Sequence, residues 1–223
     1  FIIIGSVVFL VGIAGFFLVD DHATRPTETG YWENVSYGFR KATVRENREL
    51  YRSFLLFILF NISIQIFMPY LILYYEVALG MKNYVLVMAP AIILAAGVTA
   101  VWGRVYDSKG FSLAVKIALL WLLLGFVVLF LFRNTALVFI GSLLMMCGYL
   151  SGMADFGAMI RDNIPENKAG MFQGLRIFSQ VLIPGIIGPF IGAAVLSGAD
   201  TVVGNDGTET FLPNANIFLA ALL

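Results

Sequence analysis

Residues 54–79 read FLLFILFNISIQIFMPYLILYYEVAL, and 22 residues pass before the first charge, Glu76. A helix rises 1.5 Å per residue, so this uncharged run is about 33 Å long. That matches a hydrocarbon core of about 30 Å. Six more apolar segments flank it: Phe1–Val19, Tyr84–Trp102, Leu113–Phe132, Thr135–Met159, Met171–Leu196 and the stub Ile217–Leu223. All but the stub reach the roughly 17 residues that crossing requires. The pattern predicts an all-α, polytopic membrane helix bundle. Composition agrees: 13% of the chain is charged and mean hydropathy is +0.89, whereas soluble domains carry about 25% charge.

Net charge is zero, so no basic field invites nucleic acid. The single cysteine, Cys147, excludes an internal disulfide and reads as a buried, inert thiol. The chain opens inside one apolar run, with no initiator Met and no basic n-region, and closes inside another. It therefore reads as a fragment without a signal peptide.

Lys and Arg set the expected orientation. Arg25, Arg40, Lys41, Arg45, Arg48 and Arg52 follow the first segment. Arg104, Lys109 and Lys116 follow the third, and Arg161, Lys168 and Arg176 follow the fifth. These twelve fall on one side, against Lys82 and Arg133 on the other, which makes the basic side cytoplasmic. Loops 20–53, 103–112 and 160–170 are then inside, and the Gly/Asp/Thr-rich stretch Ser197–Pro213 is outside. In the longest break, 20–53, Tyr31, Trp32, Val35, Phe39 and Ala42 stand at near-helical spacing. The break is either an amphipathic interfacial helix or a solvated linker, and it is the natural boundary between two bundles.

Polar content separates the spans. The first, the fourth and the stub are almost wholly apolar and read as outer scaffold. The second, fifth and sixth carry amides, hydroxyls, glycines and acids, which in lipid face a cavity or another helix. At 100° per residue Asn61, Gln65, Ile72, Tyr75 and Glu76 share one face. Mid-depth amides both donate and accept, so Asn61, Gln65 and Gln180, with Tyr75, are candidates to bind the hydroxyls of a solute. The alternative is that they only join helices. Glu76 either couples a cation or proton or reaches the headgroups. Pro69, Pro90, Pro184 and Pro189 break helical hydrogen bonding inside spans. Gly185, Gly188 and Gly192 form a small-residue stripe, read as packing. Asp155 is expected to pair with Arg161 or Arg176 at the cytoplasmic end, as a switching or a static salt bridge. No HExxH, intramembrane aspartate pair or Ser/His arrangement points to an enzyme, and His22 reads as a loop residue.

The stretch Gly103-Arg-Val-Tyr-Asp107-Ser-Lys109-Gly110 resembles the G-x-x-x-D-[RK]-x-G loop signature of the major facilitator superfamily, with Ser108 at a usually basic place. Asp162-Asn-Ile-Pro165-Glu-Asn-Lys168-Ala-Gly170, with Gly174 and Gly188-Pro189, resembles the join between that family's tenth and eleventh helices. The resemblance implies helices six to twelve of a twelve-helix transporter. Residues 1–19 would be the last helix of the N-terminal bundle, 20–53 the central loop, and 54–223 the C-terminal bundle. It implies a cytoplasmic gate of Gly103, Arg104, Asp107, Gly110, Asp155, Arg161 and Arg176. Partners would be the lipid bilayer, a small solute and the N-terminal bundle of the same protein, in the plasma membrane. Asn47-Arg48-Glu49-Leu50 and Tyr74-Tyr75 are similar to the glycoside–pentoside–hexuronide cation symporters, the melibiose-carrier-like branch. That branch implies sugar or glycoside uptake driven by Na⁺ or H⁺, with no other cofactor. A drug or metabolite efflux antiporter of the same superfamily and a seven-helix receptor stay open as alternatives.

Overall fold

The computed structural model describes residues 2–18, 36–165, 168–203 and 209–222. The chain separates into two units, Phe1–Asn34 and Val35–Leu223. The described part of the first is a helix, α1, over Ile2–Leu18. Its one hydroxyl, Ser6 Oγ, donates to Ile2 O at 2.9 Å, which satisfies it within the helix as an apolar surrounding demands. Arg25, His22 and the expected interfacial positions Tyr31, Trp32 and Val35 lie outside the described residues.

The second unit starts with a 3-10 turn, Tyr37–Phe39, and a short helix α2, Lys41–Glu46. Five helices long and apolar enough to cross a membrane follow: α3 Arg48–Ala78, α4 Val85–Lys109, α5 Phe111–Leu131, α6 Thr135–Asn163 and α7 Ala169–Val195. An antiparallel hairpin of two three-residue strands, β1 Thr201–Val203 and β2 Glu209–Phe211, places Thr201 opposite Phe211 and leads to α8, Asn216–Ala220. The protein is thus an all-α membrane helix bundle with one small hairpin.

Short connections make successive spans antiparallel neighbours. Gly110 alone separates α4 from α5, with φ of +78°, a conformation only glycine adopts without strain. The Gly103–Gly110 stretch is therefore not the loop the signature led us to expect. Residues 103–109 form the last two turns of α4, and Asp107 sits near that helix's C-terminus. At the other end Arg133 donates from Nη1 to Leu129 O, Phe130 O and Phe132 O at 2.9–3.0 Å, closing α5. Asn134 Oδ1 then accepts from Ala136 N at 2.9 Å and starts α6.

Lipid offers no apolar driving force for helix association, so small residues that let backbones meet decide the packing. A Cβ on Gly125 would lie 2.5 Å from Met145 N and 2.9 Å from Gly141 O, and one on Gly148 would lie 2.6 Å from Ala118 O. These glycines bring α5 and α6 into backbone contact. Gly152 receives the Phe60 ring of α3. Gly188 and Gly192 of α7 receive the backbone of Gln65 and Ile66 in α3. The glycine stripe of α7 is therefore packing at Gly188 and Gly192, whereas Gly185 meets nothing within 4 Å.

Two of the apolar segments also pack against the core of this unit. The fourth segment, α5, is more buried within the unit than α4 or α7. In α8, Ile217 and Phe218 are fully buried. Phe218 stacks in a cluster with Phe67, Tyr74 and Phe126 at centroid distances of 5.1–6.1 Å. Leucine and phenylalanine suit a bundle core as well as lipid, so an apolar stretch does not report which it faces.

Candidate functional site

Two spans are irregular, one across Gln180 and the other from three residues beyond Gln65. In α3 the helix tightens into a 3-10 turn at Met68–Tyr70 and widens into a π turn at Tyr74–Ala78. In α7 a π turn covers Phe178–Leu182, with Ile183 N–H donating back to Phe178 O. Proline has no N–H. Pro69 therefore cannot supply the α-helical donor to the Gln65 carbonyl, nor Pro184 the donor to that of Gln180. Each Gln-x-x-x-Pro unit puts a side-chain amide beside a backbone carbonyl relieved of its usual partner. The repeat is legible in the sequence, at 65–69 and 180–184, and the reading by residue type alone passed over it. π turns inside helices frequently mark functional positions.

Gln65 and Gln180 are both half-buried, and among the described residues neither side chain makes a hydrogen bond. Gln65 lies against Gly188, eight residues beyond Gln180, so the two amides stand about 12 Å apart along the bundle. The other candidates lie elsewhere. Asn61 is buried and its Nδ2 donates to Phe57 O at 2.8 Å, within its own helix. Tyr75 is fully buried, with its hydroxyl 2.5 Å from Ser142 Oγ of α6. Glu76 and Ile72 are exposed. The single face expected for these residues does not form, because the 3-10 and π turns break the 100° register between Asn61 and Glu76. Removing the Tyr75 hydroxyl, as Tyr75→Phe, is expected to cost about 1 kcal/mol of bundle stability. A melting curve in detergent that matches the parent would refute the importance of that bond.

The basic segments do meet at one end. Tyr51 donates to Gly38 O, and Lys168 donates to the Tyr37 hydroxyl while its ammonium sits 4.8 Å above the same ring. That hydrogen bond pushes the Lys168 pKa above the ordinary lysine value. Tyr37 also packs edge-on against Phe172, so the segment before α2 is clamped to the start of α7. Arg104, Asp107, Gly103 and Gly110 are exposed here. Arg161 pairs with its neighbour Asp162 at 3.3 Å, and Tyr106 donates to Asp162 Oδ2 at 2.9 Å.

Asp155 corrects another expectation. It is buried and pairs with neither Arg161 nor Arg176. Both of its oxygens instead accept from the indole Nε1 of Trp102 in α4, at 3.0 and 3.2 Å. Trp102 in turn stacks on Trp121 of α5, with centroids 4.8 Å apart. The indole carries its donor on an apolar body, which suits the buried interface between α4 and α6. Among the described residues no cluster of His, Cys, Asp and Glu could hold a metal ion.

The family model described as Major Facilitator Superfamily matches residues 1–197. No curated protein and no solved structure matches significantly.

Proposed function

The chain belongs to the major facilitator superfamily, and from that premise we propose that it moves a small, neutral, hydroxylated solute, a sugar or glycoside, across the plasma membrane by cation-coupled alternating access. The family match carries the transporter reading. The solute class follows from the two Gln-x-x-x-Pro units, whose amides and relieved carbonyls offer donors and acceptors but no charge. A polyol answers such a surface, whereas a carboxylate or an ammonium would leave its own charge unpaired at mid-depth. The solute path then lies between this bundle and a companion bundle, which rock about the site. Na⁺ or H⁺ drives uptake. The Asn47–Leu50 and Tyr74–Tyr75 stretches favour the glycoside–pentoside–hexuronide branch.

The test is uptake of a panel of radiolabelled sugars and glycosides by cells making the full-length protein. Gln65→Ala and Gln180→Ala should each weaken apparent affinity for the transported compound about tenfold, the loss of a neutral hydrogen bond that water cannot replace. Unchanged affinity and rate in both variants, at parental expression, would remove the site.

A further inference from the structure

We infer that Asp155 carries an exchangeable proton and that Trp102 is the positioning residue that senses it, which makes this pair the proton-coupling element of the transporter reading above. The inference stands on three observations. Asp155 lies four residues before Met159, where the apolar run ends, about 6 Å inside the span. It is 1% exposed. The indole of Trp102 is its one hydrogen-bond partner among the described residues. One turn earlier on the same helix, Ser151 Oγ is fully buried and has no hydrogen-bond partner among the described residues. A polar oxygen at the helical spacing i−4 is thus held in reserve beside a carboxyl group.

Among the described residues no fixed cation neutralises the carboxylate. From α4, Tyr106 is committed to Asp162, and Arg104 and Asp107 are exposed. From α6, Arg161 is paired with Asp162. From α5, Lys116 is exposed. From α7, Arg176 reaches Gly157, with Nη2 3.6 Å from where a Cβ there would sit, and makes no ion pair with Asp155. α3 contributes aromatic rings, Phe57 and Phe60, packed on Phe156. A lone carboxylate with one neutral donor is costly at this depth, and the group avoids that cost by taking up a proton. Nothing else is consumed: the carboxylate takes up H⁺ in one state of the alternating-access cycle and releases it in another. In the charged form both oxygens accept from the indole. In the neutral form one oxygen becomes a donor. Trp102 immediately precedes Gly103, so the change of partner acts on the last two turns of α4 and on Trp121 beneath.

Infrared difference spectroscopy of the full-length protein, titrated from acid to alkaline pH, tests this, because a protonated carboxyl has a carbonyl stretch that a carboxylate lacks. The parent should show the band on the acid side of neutrality and lose it as pH rises. Asp155→Asn should lack the band, and Glu76→Gln should keep it. Trp102→Phe deletes the donor that favours the charged form, so its titration midpoint should move up by about one pH unit. A merely structural tryptophan would not move that midpoint. A band that survives in Asp155→Asn, disappears in Glu76→Gln, or keeps its midpoint in Trp102→Phe overturns the inference, and so does a parent without the band. Any of these with uptake still impaired in the Gln65 and Gln180 variants would remove the proton site and leave the transporter reading intact.

Discussion

Alanine at Gly125 and Gly148 together is expected to leave little folded protein after mild heating in detergent. Each Cβ would fall on backbone rather than on a flexible side chain: Met145 N and Gly141 O for one, Ala118 O and Leu122 for the other. Backbone cannot rotate away, so the helices must separate. Separation strips dispersion contacts from a seam that includes Ala114, Ala118, Leu122, Phe126 and Met145, all buried. Overpacking of this kind costs about 1–3 kcal/mol per site. Alanine's better helix propensity returns less than about 1 kcal/mol of it. Fluorescence-detected size exclusion across a temperature series measures the result. A double variant that elutes as a single parental peak, with an unshifted midpoint, would show that α5 and α6 do not meet in the way described.

The second large effect belongs to Gly188, where α7 crosses α3. Gly188→Ala puts a Cβ 2.7 Å from the Gln65 carbonyl carbon, so the variant should both destabilise the bundle by about 1–3 kcal/mol and displace Gln65. Uptake should fall further than the stability loss explains. Gly185→Ala, three residues earlier on open space, is the control and should behave as the parent. Equal uptake per folded molecule in Gly188→Ala and Gly185→Ala would separate the crossing from transport.

Both glycine predictions and the proton inference concern pairs that no local reading joins. The spans themselves were legible because lipid imposes a length and a composition on any segment that crosses it, and that demand acts on consecutive residues. The Gln65 and Gln180 candidates were legible for the same reason, since an amide inside an apolar run is conspicuous. The partners were not. Asp155 was assigned to Arg161 or Arg176 by shared depth, yet depth says nothing about direction around a helix. Its partner Trp102 is 53 residues away. The face drawn through Asn61, Gln65, Tyr75 and Glu76 assumed a constant 100° per residue. Pro69 and the turns around it spoil that constancy within a dozen residues.

What the sequence determined by itself is therefore the class of the protein, a helical membrane bundle, together with the approximate places of its five long spans and the clustering of its cations at one end. These follow from hydrophobicity, proline and charge, which act one residue at a time or along one helix. Only the tertiary structure decided that α5 and α8 sit against the core, that Gly188 holds Gln65, and that an indole rather than a guanidinium satisfies Asp155. In lipid every span is apolar all round, so the hydrophobic stripe that orients a soluble helix is missing. The choice of face passes to small-residue contacts and hydrogen bonds between helices, and those exist only once the helices are packed.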